Sequence, residues 1–280
     1  MTTLSLTDSL TPPLTQPGPQ SAFTDSIVVA KRHLAHVRQV PAKLLDVTVQ
    51  PLMFVLLFSY VFGSAIKVGG GSYREFLMAG IFVQTLTFGS AGTAVGVAED
   101  MKTGVVDRFR ALPMARSAVL VGRTLADLAT AAVAVLIMTL SGLVVGWRIH
   151  DGVVRGLAGY ALLFGFSFAM TWVGTLIALL VKDPEAAQQA VFVIGFPLTF
   201  IANTFVPTGG MPSALRFVAE WNPVSALTAA ERTLFGNPGV AHADVWPLQH
   251  PVIASVLWII GICAVCMPLA VSRYRSTVSR

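Results

Sequence analysis

Six long apolar runs limit what this chain can fold into. They cover residues 47–66, 76–98, 125–146, 157–181, 186–206 and 251–271. Each has about 20 residues or more, and at 1.5 Å rise per residue a helix of that length crosses a hydrocarbon core of roughly 30 Å. Only 12% of the 280 residues are charged and 54% are hydrophobic, whereas an ordinary soluble domain is about 25% charged. One soluble core does not need that much apolar material. In lipid each backbone polar group must be satisfied within its own segment, which leaves helices as the spanning element. The expectation is an all-α polytopic membrane protein with six transmembrane helices. Pro51, Pro197 and Pro268 lie in or near these runs, where they kink a helix rather than abolish it. The fifth run is the weakest, because Pro197, Asn203 and Thr204 interrupt it.

The connections carry the sidedness. The net charge is +5, but the basic residues lie mostly between apolar runs, so they report topology rather than a nucleic-acid partner. With the N-terminus in the cytoplasm, 13 of the 19 Lys and Arg fall on the inner side. That excess predicts cytoplasmic termini and places the connection between the second and third runs inside. This connection, 99–123, is the one strongly charged block between membrane-length runs: EDMKTGVVDRFRALPMARSAVLVGR.

The remaining segments read as accessories. Residues 1–22, rich in Pro, Ser and Thr, are expected to be a disordered tail. Within 23–45, Ile27, Ala30, Leu34 and Val37 recur at helical spacing, which predicts an amphipathic helix lying on the membrane surface. The membrane-spanning body runs over 46–275. Its outer connection, 207–250, is apolar and predicts two short helices, 212–220 and 223–235, turning at Asn222-Pro223 and ending at Gly236. Such a hairpin should dip into the outer leaflet. Gly89, Gly92, Gly96, Gly142 and Gly146 sit at spacings suited to helix packing.

Several chemistries are missing. No GxxxxGK[ST] phosphate cradle occurs, so the chain is not expected to hydrolyse ATP. The runs hold almost no ionisable residue for proton or sodium coupling; Asp127 lies near a span edge, and Gln84 is the main uncharged polar group at depth. His33, His36, His150, His242 and His250 have no metal-ligand spacing, and Cys263 and Cys266 lie within an apolar run that disfavours thiolates. No catalytic or metal site is expected.

The block 99–123 resembles the cytoplasmic loop of type-2 ABC exporter permeases of the daunorubicin-resistance (DrrB-like) group. The run GFPLTFIANTFVPTGGMPSALRFVAEWNPVSALTAAERTLFGNP, 195–238, resembles their fifth span and external hairpin. The likeness covers about 24–275. It implies a bacterial cell-membrane permease that pairs with a second copy or a paralogue, above two copies of an ABC ATP-binding subunit that uses ATP and Mg. It also implies a coupling helix within 99–123. Glu99, Asp107, Arg108, Phe109, Arg110, Pro113, Met114 and Arg116 are the residues expected to dock on the ATPase, Phe109 as an aromatic anchor and Pro113 as the bend. The cargo implied is a hydrophobic or amphiphilic drug, antibiotic or lipid, with membrane lipid around the bundle and no nucleic acid. The alternatives are a polysaccharide or glycolipid permease of the same architecture, and a non-transporting scaffold or sensor subunit.

Overall fold

The computed structural model describes residues 49, 52–62, 71–103, 116–237 and 245–278. The tail and the surface helix expected within 1–45 lie outside these residues. Every regular element among those described is helical. A short helix α1, Leu52–Val61, carries a π turn at Phe58–Phe62. Then follow α2 (Tyr73–Lys102), α3 (Arg116–Val145), α4 (Gly152–Val181) and α5 (Pro184–Phe200). Beyond a 3-10 turn at Thr208–Gly210 come α6 (Ser213–Glu220), α7 (Pro223–Phe235), α8 (Trp246–Gln249) and α9 (Pro251–Val278). Four of these, α2, α3, α4 and α9, are long and apolar enough to cross a membrane.

Local chemistry sets the helix ends. Ser72 and Asn222 cap α2 and α7 by accepting from the N–H groups of Arg74 and Val224. Asp183 does the same for α5, accepting from Ala186 N–H at 3.1 Å, with Pro184 in the first turn. That bond, first among its causes, holds the Asp183 carboxyl below the usual carboxylate range. Gly236, at φ 69°, closes α7 in the left-handed region. Helix α7 spans the expected 223–235, while α6 starts at Ser213, one residue inside the expected 212–220.

Helix α2 is the hub. It packs against α3, α4, α5 and α7, while α9 lies across α4 and α7. Two-thirds (67%) of the apolar window of α2 is buried inside the chain, against 11% for α9, so α9 leaves most of its apolar surface to lipid or another subunit. The α2–α4 crossing is tight because Gly174 has no side chain. A Cβ there would strike the Ser90 carbonyl. Phe82, Trp147, Tyr160 and Phe235 form an aromatic knot further along the bundle, with Trp147 and Phe235 meeting edge to face at 5.3 Å. Gly89 and Gly92, expected to pack helices, face open space within this chain.

The fifth apolar run departs from a simple span. Residues 186–206 were expected to be helical throughout, but α5 stops at Phe200. Pro197 lies inside α5, where its missing N–H removes one rung of the ladder while its carbonyl still accepts from Ile201 N–H, and 201–206 turns away as irregular backbone. Buried irregular backbone needs partners, and the tertiary structure supplies them. Ser225 Oγ accepts from Asn203 N–H, Tyr73 donates to the Phe205 carbonyl, and Asn222 Nδ2 donates to that of Leu198. Arg232, 1% exposed, donates to the carbonyls of Asn203 (3.0 Å), Thr204 (3.2 Å) and Phe76 (2.9 Å). Its guanidinium also lies 3.5 Å from the centre of the Phe76 ring. Gly80 completes the fit, because any Cβ there would collide with the Thr204 carbonyl.

Candidate functional site

The bundle has two polar ends. At one, His150 Nε2 meets Glu75 Oε1 at 2.7 Å, Arg74 donates to the Val145 carbonyl, and Trp147 Nε1 donates to Asn237 at 2.7 Å. At the other lie Glu99, Asp100, Lys102, Arg123, Asp127 and Asp183. These last residues form the base of the charged loop that the sequence singles out.

Helices α2 and α3 run further into that loop than the sequence reading placed them. Glu99 to Lys102 form the last turn of α2, and Arg116 opens α3, leaving 103–115 between the helices. Lys102 in the final turn suits the negative end of the helix dipole, and the Thr103 hydroxyl donates to the Glu99 carbonyl at 2.8 Å. On the other side, the Ala, Leu and Arg content of 116–126 favours helix. Of the expected docking residues, Glu99 is exposed on α2, and Arg116 enters only as the first residue of α3. Asp107, Arg108, Phe109, Arg110, Pro113 and Met114 lie outside the described residues.

The structure adds a cluster that the sequence reading left unassembled. Arg123 on α3 reaches across to α2, where its Nη1 pairs with Asp100 Oδ2 and its Nη2 donates to the Thr93 carbonyl at 3.4 Å. Gly96 makes this approach possible, since a Cβ there would overlap the guanidinium. Asp127, one turn along α3, accepts from the Thr93 hydroxyl at 2.9 Å. The Arg123 side chain is only 13% exposed. Its Nε is buried without a hydrogen-bond partner and stands 4.0 Å from Asp127 Oδ2. The two acids and one base thus join α2 to α3 at the foot of the loop. By contrast, the Lys102–Asp183 pair at 3.5 Å is largely exposed and contributes little. One signal for the cluster was legible: Arg123 and Asp127 stand at i,i+4 on a helix. Its partner Asp100 depends on how two helices are set side by side.

This arrangement offers ion pairing and mechanical linkage, without a nucleophile–base pair. No group of His, Cys, Asp and Glu suited to a metal occurs among the described residues. Along another face runs a chain of phenylalanine rings. Phe54, Phe58, Phe205, Phe200, Phe196 and Phe88 follow one another at centroid separations of 4.5–5.8 Å, with Phe192 beside the last two.

Known proteins resemble the chain along nearly its whole length. A permease described as the daunorubicin resistance ABC transporter permease protein DrrB1, from Streptomyces coeruleorubidus, is 28% identical over 262 residues, covering 93% of this chain and 89% of the relative. The probable doxorubicin resistance permease DrrC of Mycobacterium tuberculosis is 25% identical, covering 95% of both chains. A putative transport permease, ycf38 of Cyanophora paradoxa, is 24% identical over 75% of this chain and 73% of its own. The family described as ABC-2 type transporter matches residues 25–235. A helical bundle with four membrane-length spans and a family match across most of its length make this multi-pass membrane protein a member of the ABC-2 type transporter family.

Proposed function

We propose that the protein is the permease subunit of an ATP-driven exporter that moves a hydrophobic or amphiphilic compound (a drug, antibiotic or lipid) out of the cytoplasm or the inner leaflet. An ABC-2 permease works with an ATP-binding partner subunit. Here two copies of that partner would use ATP and Mg beneath a pair of permease chains, since this sequence has no phosphate cradle of its own. The six apolar runs become six spans, with α1 and α5 as parts of the first and fifth and both termini in the cytoplasm. Residues 104–115, carrying Asp107 to Arg110, then face the cytoplasm and dock on the ATPase.

The phenylalanine chain favours this cargo class. Its rings offer a continuous apolar and aromatic surface, which suits a hydrophobic or amphiphilic cargo. Phe196 and Phe200 remain 44% and 45% exposed within the chain, so they are available to a cargo or to the second permease copy. Relatives described as daunorubicin and doxorubicin resistance permeases support the same choice.

The test is reconstitution. The chain is expressed with a candidate ABC ATP-binding subunit, purified as a complex, and placed in vesicles. ATP-dependent movement of daunorubicin or of a fluorescent phospholipid, lowered several-fold by Phe196→Ala, is the expected result. An assembled complex that hydrolyses ATP but moves neither probe would overturn the cargo class. Failure to bind any ATP-binding subunit would favour a scaffold or sensor role.

A further inference from the structure

We propose that Asp100, Arg123 and Asp127 form a transferable ion-pair joint that lets α3 part from α2 at the base of the loop without stranding a buried charge. The inference builds on the reading of 104–115 as the segment that docks on the ATPase.

Three observations carry it. The first is burial. Arg123 is mostly enclosed, and it is held to α2 by Asp100 and by the Thr93 carbonyl, in a notch that exists because residue 96 is glycine. Separating a buried guanidinium from a paired carboxylate is strongly unfavourable unless another anion replaces it, so the Asp100 contact alone would lock the helices together. The second is the unmade bond. Arg123 Nε is buried, lacks a hydrogen bond, and stands 4.0 Å from Asp127 Oδ2 on its own helix. Closing that gap needs a side-chain adjustment rather than movement of a helix. The third is where Asp127 is held at present: the Thr93 hydroxyl of α2 occupies its Oδ2 at 2.9 Å. Movement of α3 away from α2 breaks Asp100–Arg123 and Thr93–Asp127 together. The two groups released on α3, one cation and one anion, are neighbours at i,i+4 and can pair.

The joint therefore has two arrangements, each of which keeps Arg123 paired and leaves one of the two carboxylates outside the pair. In the closed one, Arg123 bridges to α2. In the open one, Arg123 and Asp127 neutralise each other on α3, while Asp100, already 35% exposed in its side chain, turns to water. Lys102 and Asp183 lie at the same end but pair with each other. The two acids have opposite roles. Asp100 holds the closed state, and Asp127 makes the open state affordable in the absence of Asp100.

The experiment measures the separation of the two helices directly. Cys263 and Cys266 are replaced by serine, spin labels are placed at Thr103 on the end of α2 and at the exposed Leu125 on α3, and distances are recorded in the assembled complex with its ATPase. In the absence of nucleotide, D100N is expected to raise the ratio of long to short distances at least threefold. D127N is expected to lower it at least threefold, and to suppress the lengthening that ATP with vanadate produces in the parent. An unchanged distribution in either variant would overturn the joint. So would a shift in the same direction in both, which is the mark of simple loosening. If the parent complex shows no response to ATP, the exporter reading fails, while the nucleotide-free comparison of D100N with D127N still decides the joint.

Discussion

Replacing Arg232 with leucine is the sharpest test of how this bundle tolerates irregular backbone. Arg232 donates to the carbonyls of Asn203 and Thr204, which lie in non-helical chain, and to that of Phe76 inside α2. The Phe76 carbonyl also lies within the α2 helix, so its loss is discounted. Two carbonyls are then left buried and unpaired, at about 1–3 kcal/mol each. The cation over the Phe76 ring adds about 1–2 kcal/mol in a dry site. Against this, leucine avoids burying a charge: burial already pulls the guanidinium down to about 9 from 12.5, although it keeps its proton at neutral pH. The lost contacts sum to roughly 3–8 kcal/mol before that relief is subtracted, so a net cost of about 3–5 kcal/mol is expected. At about 2–4 °C per kcal/mol for a chain of this size, the midpoint should fall by roughly 10 °C. Thermal unfolding of detergent-solubilised protein, read by gel-filtration recovery, measures it. Arg74→Leu is the control, since Arg74 makes one half-buried bond of 3.3 Å to the Val145 carbonyl. An Arg232→Leu midpoint within 2 °C of the parent would refute the capping role.

Other perturbations separate neighbouring effects. Glu231 is fully buried with neither carboxyl oxygen hydrogen-bonded, and burial raises its pKa well above 4.5. Below about pH 4.5 both folded and unfolded chains hold that proton. Above it the unfolded chain releases it first, so native stability should fall by about 1.4 kcal/mol per pH unit until the native acid ionises. Glu231→Gln should remove that slope between pH 5.5 and 7.5, and a slope equal to the parent's would show that Glu231 is not its source. Gly174→Val should cost about 1–3 kcal/mol by forcing α4 off the Ser90 carbonyl, whereas Gly92→Ala, which meets nothing within 4 Å, should stay within about 1 kcal/mol of the parent. Thermal midpoints of both glycine variants decide this, and equal losses would contradict the packing. Arg108→Glu together with Arg110→Glu should abolish transport in vesicles while membrane insertion is retained. Unchanged transport would remove these two residues from the docking surface.

Much of the fold was legible because membrane spans and helix caps are local properties. The length of an apolar run decides whether it can cross lipid, and Asn222-Pro223 and Gly236 punctuate α7 through their own backbone preferences. The charged block 99–123 stood out for the same reason, although its helical edges were underestimated, since Glu99–Lys102 and Arg116–Arg123 join the flanking helices. The Asp100–Arg123 pair was harder to foresee. It links residues 23 apart that meet only because α2 and α3 pack side by side with Gly96 between them.

The sequence by itself determined that this is a helical membrane protein, because hydropathy and helix punctuation act over a few residues at a time. Only the tertiary structure decided how the interior resolves its polar groups. Glu231 and Arg232 are adjacent in the chain, yet one caps the irregular backbone after α5 and the other is enclosed without a partner. That difference comes from which helix face each side chain meets, which depends on contacts between residues as much as 156 positions apart.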